Sequence, residues 1–361
     1  ARARDPKTRA ELSNVLGLVA KAHGDYAAAR DRFTASLQIL KEAKLDGQEV
    51  AATLGNLSNV LPMLGDLAGG RKAAEEASHR DLEMFGAAHP QYADSLVELS
   101  ARDSDLGDFT AATGHQLEAL KIVDATYGDV SPAAMIIHNN LASSLAQDHH
   151  LAEAGVHARR ALVLAEKLRG PKHPATAQAL FTVANVAGER DDWPTAFDTA
   201  NRALAIVTET YGPDHPMAAS IVANLGEWSL RRGEAAGDAK MIRAAETYLR
   251  RALKPMLATP DSPDVAVIRT GLGSSLAAQG RHAEAIVELE AALTLRQKIG
   301  DDPVAIGDTQ STLARSLWAT GKRDRAIELA HAAATAFARA GESASRYARD
   351  LAGWRAKNHV P

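Results

Sequence analysis

The chain has 361 residues, a formal net charge of -4, and a composition that is 46% hydrophobic but only 4% aromatic. It contains no cysteine, which excludes disulfide bonds and thiolate metal sites. The small negative charge gives no reason to expect nucleic acid as the main partner. No window approaches the roughly 20 consecutive apolar residues of a membrane span, and no apolar leader opens the chain, so the predicted location is the cytoplasm.

A leucine, once replaced by valine, returns along the chain at intervals of roughly 42 residues. It stands at Leu16, Leu57, Leu99, Leu141, Val183, Leu225, Leu272 and Leu313. The next residue is always small: Gly17, Ser58, Ser100, Ala142, Ala184, Gly226, Gly273 and Ala314. A fixed period of this length predicts a stack of repeats rather than a single catalytic domain, and the small residue would let two helices touch.

Each repeat has the pattern of a helical hairpin. Eight residues after the leucine comes a turn position, which is filled by Gly24, Gly65, Gly107, His149, Asp191, Gly233, Gly280 and Gly321. Small residues, mostly alanine, then recur at two positions, as at Ala112 and Ala119. We therefore expect a helix A that carries the leucine, a turn, and a helix B that packs back through its alanines. One hairpin cannot bury its apolar face alone, but a stack can.

Eight repeats are predicted, followed by one further helix. The repeats occupy roughly 6–45, 48–86, 90–127, 132–169, 174–211, 216–257, 263–299 and 303–340, so that residues 1–342 form a solenoid. In the remaining segment, 343–361, Tyr347, Leu351 and Trp354 recur at helical spacing. This segment is predicted to be a capping helix and tail that shields the last hairpin.

Prolines and one insertion mark predicted helix boundaries. Five prolines suit the first turn of an A helix, where the missing N–H is not needed: Pro90, Pro132, Pro174, Pro216 and Pro263. Pro62 differs, because near the end of its A helix it should bend the helix or end it early. In the sixth repeat the extra residues 234–240 are expected to lengthen the turn and project as a loop.

From about Pro6 to Ala340 the chain resembles the tetratricopeptide repeats. The match rests on the helix A leucine and its small neighbour, the helix B alanines, and Gly-Asp-aromatic turns such as Gly107-Asp108-Phe109. The long period and the Gly-x-x-His-Pro connectors, such as Gly170 to Pro174, are similar to the kinesin light chain subtype. The resemblance implies an all-α, right-handed superhelical solenoid whose A helices line a concave groove that holds peptides or helices of partner proteins.

Candidate partner-binding residues follow from positions near the leucine that should look into this groove. They are Asn14, Asn56, Asn59, Asn139, Asn140, Phe181, Asn185, Asn224, Glu227, Trp228, Arg315 and Trp318. Asparagine is a poor helix former, so its recurrence needs a reason, and its amide could grip the backbone of an extended peptide. The resemblance implies this role for the pair in Asn139-Asn140-Leu141-Ala142. Alternatively, these asparagines bond to the next helix and join the repeats, and both roles remain open.

Patterns that suggest catalysis are weak here. His79-Arg80-Asp81-Leu82 spells the start of a protein-kinase catalytic loop, but its companion motifs are missing, so it is interpreted as a stretch of helix B. His89, His173 and His215 recur in the connectors, where capping or packing of the next helix is the favoured interpretation. No nucleophile, base and orienting acid can be assembled, and no active site, cofactor or metal is predicted.

The predicted function is a non-catalytic protein–protein interaction scaffold that binds a peptide or helix of a partner in the groove, without nucleic acid or membrane. An exposed helix at either end could also stack on a second copy. The alternative is a regulatory or sensor segment of a larger bacterial signalling enzyme, namely a serine/threonine kinase, a nucleotide-binding switch protein or a protease. The start at Ala1 rather than methionine favours that alternative slightly.

Overall fold

The computed structural model describes residues 5–300 and 302–360, apart from the side chains of residues 342 and 343. Every regular element in these ranges is helical. The chain forms two compact units, Ala1–Arg190 and Asp191–Pro361. The boundary between them falls inside the repeat predicted at 174–211.

The first unit consists of alternating A and B helices. In chain order they are α1 (Pro6–Ala22), α2 (Tyr26–Glu42), α3 (Gln48–Ser58), α4 (Leu67–Phe85), α5 (Pro90–Asp105), α6 (Phe109–Tyr127), α7 (Pro132–Gln147), α8 (Leu151–Arg169) and α9 (Pro174–Glu189). The odd-numbered helices are the A helices. Each of α1, α3, α5 and α7 packs against the B helix that follows it, and each B helix packs against the next A helix, so the hairpins stack.

The second unit repeats this arrangement and adds a final helix. Its helices are α10 (Trp193–Tyr211), α11 (Pro216–Ala236), α12 (Ala239–Met256), α13 (Pro263–Ala278), α14 (His282–Ile299), α15 (Pro303–Ala319), α16 (Arg323–Ala340) and α17 (Ser345–Lys357). The A helices are α11, α13 and α15. The last of these pairs with α16, and α17 packs against α16. None of the described helices is both long and apolar enough to cross a membrane.

The predicted starts of the A helices are confirmed. Each of the five prolines is the first residue of its helix. The connector histidines also cap these helices as interpreted: the Nδ1 atom of His89 accepts from the backbone N–H of Gln91 at 3.1 Å, and that of His173 accepts from Ala175 at 3.0 Å. The His89 ring stacks on Phe85 at the end of the preceding helix, 4.7 Å between centroids. The histidines are therefore structural.

The turns between the helices of a hairpin need a left-handed residue. Gly107 has φ 78°, and the two departures from glycine, His149 and Asp191, adopt the same region with φ 60° and 56°. Histidine and aspartate are among the few other residues that enter this region. Pro62 also acts as predicted, because α3 ends at Ser58 and a short 3₁₀ turn, Pro62–Leu64, replaces its last turn.

The loop predicted in the sixth repeat is wrong. Gly233 is buried inside α11, which continues to Ala236, and α12 begins at Ala239. The true turn residue is Gly237, with φ 64°. The inserted residues extend the hairpin along its own axis, and Gly233 serves packing instead, since a Cβ there would lie 3.0 Å from Ile242 Cγ1.

The size of the small residue after the leucine depends on the side chain that it faces on helix B. A Cβ on Gly17 would lie 2.5 Å from the ring of Phe33, and one on Gly273 would lie 2.5 Å from Leu289 Cγ. Where helix B has alanine at the equivalent position, helix A has serine or alanine, as in the buried pairs Ser58 with Ala74, Ala142 with Ala158, and Ala314 with Ala330. Glycine thus faces the bulky side chains Phe33 and Leu289 of helix B, because interiors are close-packed.

The first A helix differs from all the later ones in exposure. On α1, Leu12 is 59% exposed, Leu16 40% and Val19 49%. The residues equivalent to Leu12 in the later A helices are all buried: Thr53, Ser95, Ile137, Ala179, Ile221, Ile268 and Thr309. In each unit these positions pack against the preceding B helix, which α1 lacks among the described residues.

Candidate partner-binding face

The candidate asparagines of the first three A helices are joined in a chain of hydrogen bonds. Asn56 Nδ2 on α3 donates to Asn14 Oδ1 on α1 at 3.1 Å. Asn59, at the C-terminal cap of α3, donates through Nδ2 both to its own Gly55 carbonyl and to Glu98 Oε2 on α5, each at 2.9 Å. These side chains therefore join neighbouring repeats, and this set is named the A face of the first unit.

A similar link connects α7 and α9, and its residues Asn139 and Thr182, with the adjacent Asn140, also belong to the A face of the first unit. Thr182 Oγ1 donates to Asn139 Oδ1 at 2.7 Å. Asn140 lies beside it on α7 and is half-buried, as are Phe181 and Asn185 on α9. The role of joining repeats, one of the two that the sequence leaves open, is thus performed by Asn14, Asn56, Asn59 and Asn139.

An acidic pocket of about 310 Å³ opens beside these amides in the first unit. Asn56 and Asn59 lie on its wall together with three carboxylates, Asp81, Asp94 and Glu98. No lysine, arginine or histidine is among the residues that line it. Asp81, on α4, is only 4% exposed, and its Oδ1 atom has no hydrogen-bond partner. Burial of such a group without a donor is costly, about 1–3 kcal/mol.

The carboxylates of the acidic pocket affect one another. Burial raises the pKa of Asp81, against smaller opposing effects of Ser95 and Gln91. The pKa of Asp94 is also raised, first by loss of water around it and then by the negative charges of Glu98 and Asp81. Asp94 and Glu98 are exposed, so the negative charge is concentrated at the open side of the pocket.

Sequence reasoning missed Asp81 and Asp94. Asp94 precedes Glu98 by four residues and so lies on the same side of α5, which was a signal available in the sequence. Asp81 belongs to helix B, and it reaches the pocket only because α4 packs behind α3 and α5. The sequence of one helix could not indicate that placement.

In the second unit, Trp228 is a correction. It was predicted as a partner-binding residue, but it is 2% exposed and its ring meets Phe197 edge-on, 6.2 Å between centroids. It stands three residues after Leu225, which places it on the buried side of α11 with the leucine. Its neighbours Asn224, half-buried, and Glu227, exposed, remain at the surface.

The last two candidates are engaged by the final helix. Arg315 Nη2 donates to Asp350 Oδ2 at 2.6 Å, and its guanidinium lies 5.6 Å from the centre of the Trp354 ring. Trp318 packs edge-on against the same Trp354, and the guanidinium of Arg323 lies 3.7 Å from the centre of the Trp318 ring. Both candidates therefore have partners within the chain, supplied largely by α17.

A histidine pair lies between α7 and α8. The Nδ1 atoms of His138 and His157 are 2.8 Å apart, and both rings are half-buried. Such a contact needs one N–H donor and one bare nitrogen, so the two rings cannot both be protonated. Burial, and then the charge of His157, lower the pKa of His138 to about 4. No group of three or more metal-ligating side chains was found among the described residues.

The comparison with protein families now decides the assignment. A family model described as Tetratricopeptide repeat matches residues 133–207 and 264–339. These two ranges of the chain are tetratricopeptide repeats. No curated protein sequence matches it.

Solved structures share the fold of this chain. BtubC (BKLC) from P. vanneervenii is 23% identical, with a TM-score of 0.51 over 64% of this chain and 90% of that one. A putative kinesin light chain from Podospora anserina with nearly identical TPR-like repeats is 15% identical, with a TM-score of 0.51 over 58% and 99%. A Rap protein complexed with Competence and Sporulation Factor is 13% identical, with a TM-score of 0.60 over 98% and 99%. At these identities the likeness concerns the fold.

Proposed function

We propose that this protein is an interaction scaffold that holds an extended segment of a partner protein against the A face of its first unit. The observation that carries the proposal is the row of amides and carboxylates on successive A helices beside an open pocket of about 310 Å³. The Rap neighbour, solved with Competence and Sporulation Factor, supports a binding role for such a fold.

The amides that join the repeats keep unused hydrogen-bond acceptors and donors on this face. Asn56 and Asn59 donate through Nδ2, so each Oδ1 is still an acceptor. Asn139 accepts through Oδ1, so its Nδ2 is still a donor. An extended peptide presents an N–H and a carbonyl at each residue, and side-chain amides can pair with both. The two roles of the asparagines are therefore compatible, because different ends of the amide perform them.

The test is capture of partners from the native lysate by the full chain and by two variants. The test variant carries Asn56→Ala with Asn140→Ala. The control variant carries Gln38→Ala with Asn201→Ala, two amides that lie exposed on B helices and bond within their own helices. We expect a partner that the parent and the control retain and the test variant loses, with helical content unchanged by circular dichroism. If the test variant retains every partner, this face is not the contact surface.

The same binding role would serve a chain that regulates a larger bacterial signalling enzyme, because a regulatory segment would act through a bound partner on the same face. Reading the gene on both sides of the sequence for a kinase, a nucleotide-binding switch or a protease domain distinguishes the two roles.

A further inference from the structure

The acidic pocket has the composition of a site for a positively charged group. Its three carboxylates come from two helices, Asp81 from α4 and Asp94 and Glu98 from α5, and no basic side chain lines it. Like charges held together in a partly desolvated pocket repel one another, so a bound cation is favoured over a neutral or anionic group.

Asp81 shows where a donor is missing. It is 4% exposed and lines the pocket, and its Oδ1 atom has no hydrogen-bond partner. Buried polar atoms are nearly always paired, so an exception needs an explanation. This atom is enclosed, so a donor on a molecule in the pocket would pair with it after the carboxylate rotates about its Cβ–Cγ bond.

The shape of the pocket favours a long side chain over a bare ion. Four alanines line it, including Ala51 and Ala77, together with the carboxylates and the Asn56 amide. An arginine side chain has the same two parts, an apolar stem and a planar head with five N–H donors. Its forked head can pair with two carboxylate oxygens at once, which the compact ammonium of lysine cannot do.

We propose that the acidic pocket of the first unit binds an arginine side chain of the partner segment. This inference rests on the proposed function and names the chemistry of the partner at one point. The stem lies along the alanines, the guanidinium reaches Asp94 and Glu98, and its inner N–H groups face Asp81.

The experiment measures binding of short labelled peptides to the full chain by fluorescence anisotropy at physiological salt. The peptides alternate glycine with arginine, lysine, serine or glutamate. We expect the arginine peptide to bind most tightly and the lysine peptide of equal charge to bind more weakly. Asp94→Asn with Glu98→Gln should weaken the arginine peptide by about tenfold or more. Asp81→Asn, checked for folding by its melting curve, should weaken it as well.

A matched control separates the pocket from net charge. Asp31→Asn with Glu75→Gln removes the same two negative charges from exposed positions on α2 and α4, and binding should change less than about twofold. Equal weakening by both double variants would overturn the proposal that the acidic pocket binds the arginine. If the serine or glutamate peptide binds at least as well as the arginine peptide, the face binds peptides but the arginine assignment is wrong. Binding of none of the peptides would contradict the arginine assignment, while the lysate capture decides the proposed function separately.

Discussion

The interior of the hairpins and the A face of the first unit follow different rules, although the same helices build both. Inside, residues of helix A and helix B are matched in size, and a Cβ added to Gly273 would lie 2.5 Å from Leu289 Cγ. On the A face, single hydrogen bonds such as Asn56 to Asn14 join helices that are otherwise held by their interiors. The repeat is thus defined by packing, and its surface is left free to vary in chemistry.

The largest effect should come from a truncation inside a hairpin. Leu141 is fully buried, so Leu141→Ala removes contacts and leaves a cavity, and we expect the free energy of unfolding to fall by about 2–5 kcal/mol. Leu16→Ala is the matched control, because it changes the same repeat position where the side chain is 40% exposed. Its cost should stay below about 1 kcal/mol. Urea unfolding of both variants measures the difference, and equal costs would contradict the size-matched interior.

A second test uses acid on the histidine pair. The pKa of His138 in the folded chain, about 4, is lower than its unfolded value of 6.5, so protonation favours the unfolded chain. Stability is therefore complete above pH 6.5 and decreases as the pH falls toward 4, by ~2 kcal/mol once solvent near the half-buried ring is considered. In His138→Asn this part of the pH dependence should disappear. Melting curves of both proteins between pH 7 and 4 should differ in slope, and parallel curves would refute the assignment.

The size matching itself can be tested by a double-mutant cycle. Gly273→Ala should destabilise the chain by about 1–2 kcal/mol, which is the overpacking cost reduced by the better helix propensity of alanine. Leu289→Ala leaves a cavity in the same place. Together they recreate the alanine pair found at Ala142 and Ala158, so the double variant should be more stable than the sum of the single effects predicts. Strict additivity would mean that the two side chains do not compete for space.

The smallest effect belongs to the A face. Asn139→Ala removes the nearer of two acceptors of Thr182 Oγ1 and leaves the Gln178 carbonyl, and we expect a loss of about 0.5–1.5 kcal/mol with unchanged helical content. Asn140→Ala, next to it, serves as the comparison and should cost less. If Asn139→Ala unfolds the chain, the hydrogen bonds of the A face are as important for stability as the packing inside the hairpins.

The sequence predicts the hairpins better than it predicts the face. Backbone geometry and close packing decide which residues can stand at helix starts, at turns and between helices. A single residue such as Pro90 or Gly107 therefore predicts the local structure. The error at Gly233 arose because glycine has two uses, ending a helix and allowing close approach, and the local sequence does not distinguish them. Asp81 shows a further limit, since its position in the acidic pocket depends on how three helices pack.

The exposed apolar side chains of α1 affect where local unfolding of the repeat array begins. Leu12 and Val19 are exposed on α1, whereas the residues equivalent to Leu12 on the later A helices are buried. In a linear array whose stability is a sum of nearest-neighbour terms, a hairpin that buries less of its apolar surface has a lower local free energy of opening. The first hairpin should therefore fray before the rest of its unit, with the amide protons of α1 exchanging ahead of those of α7.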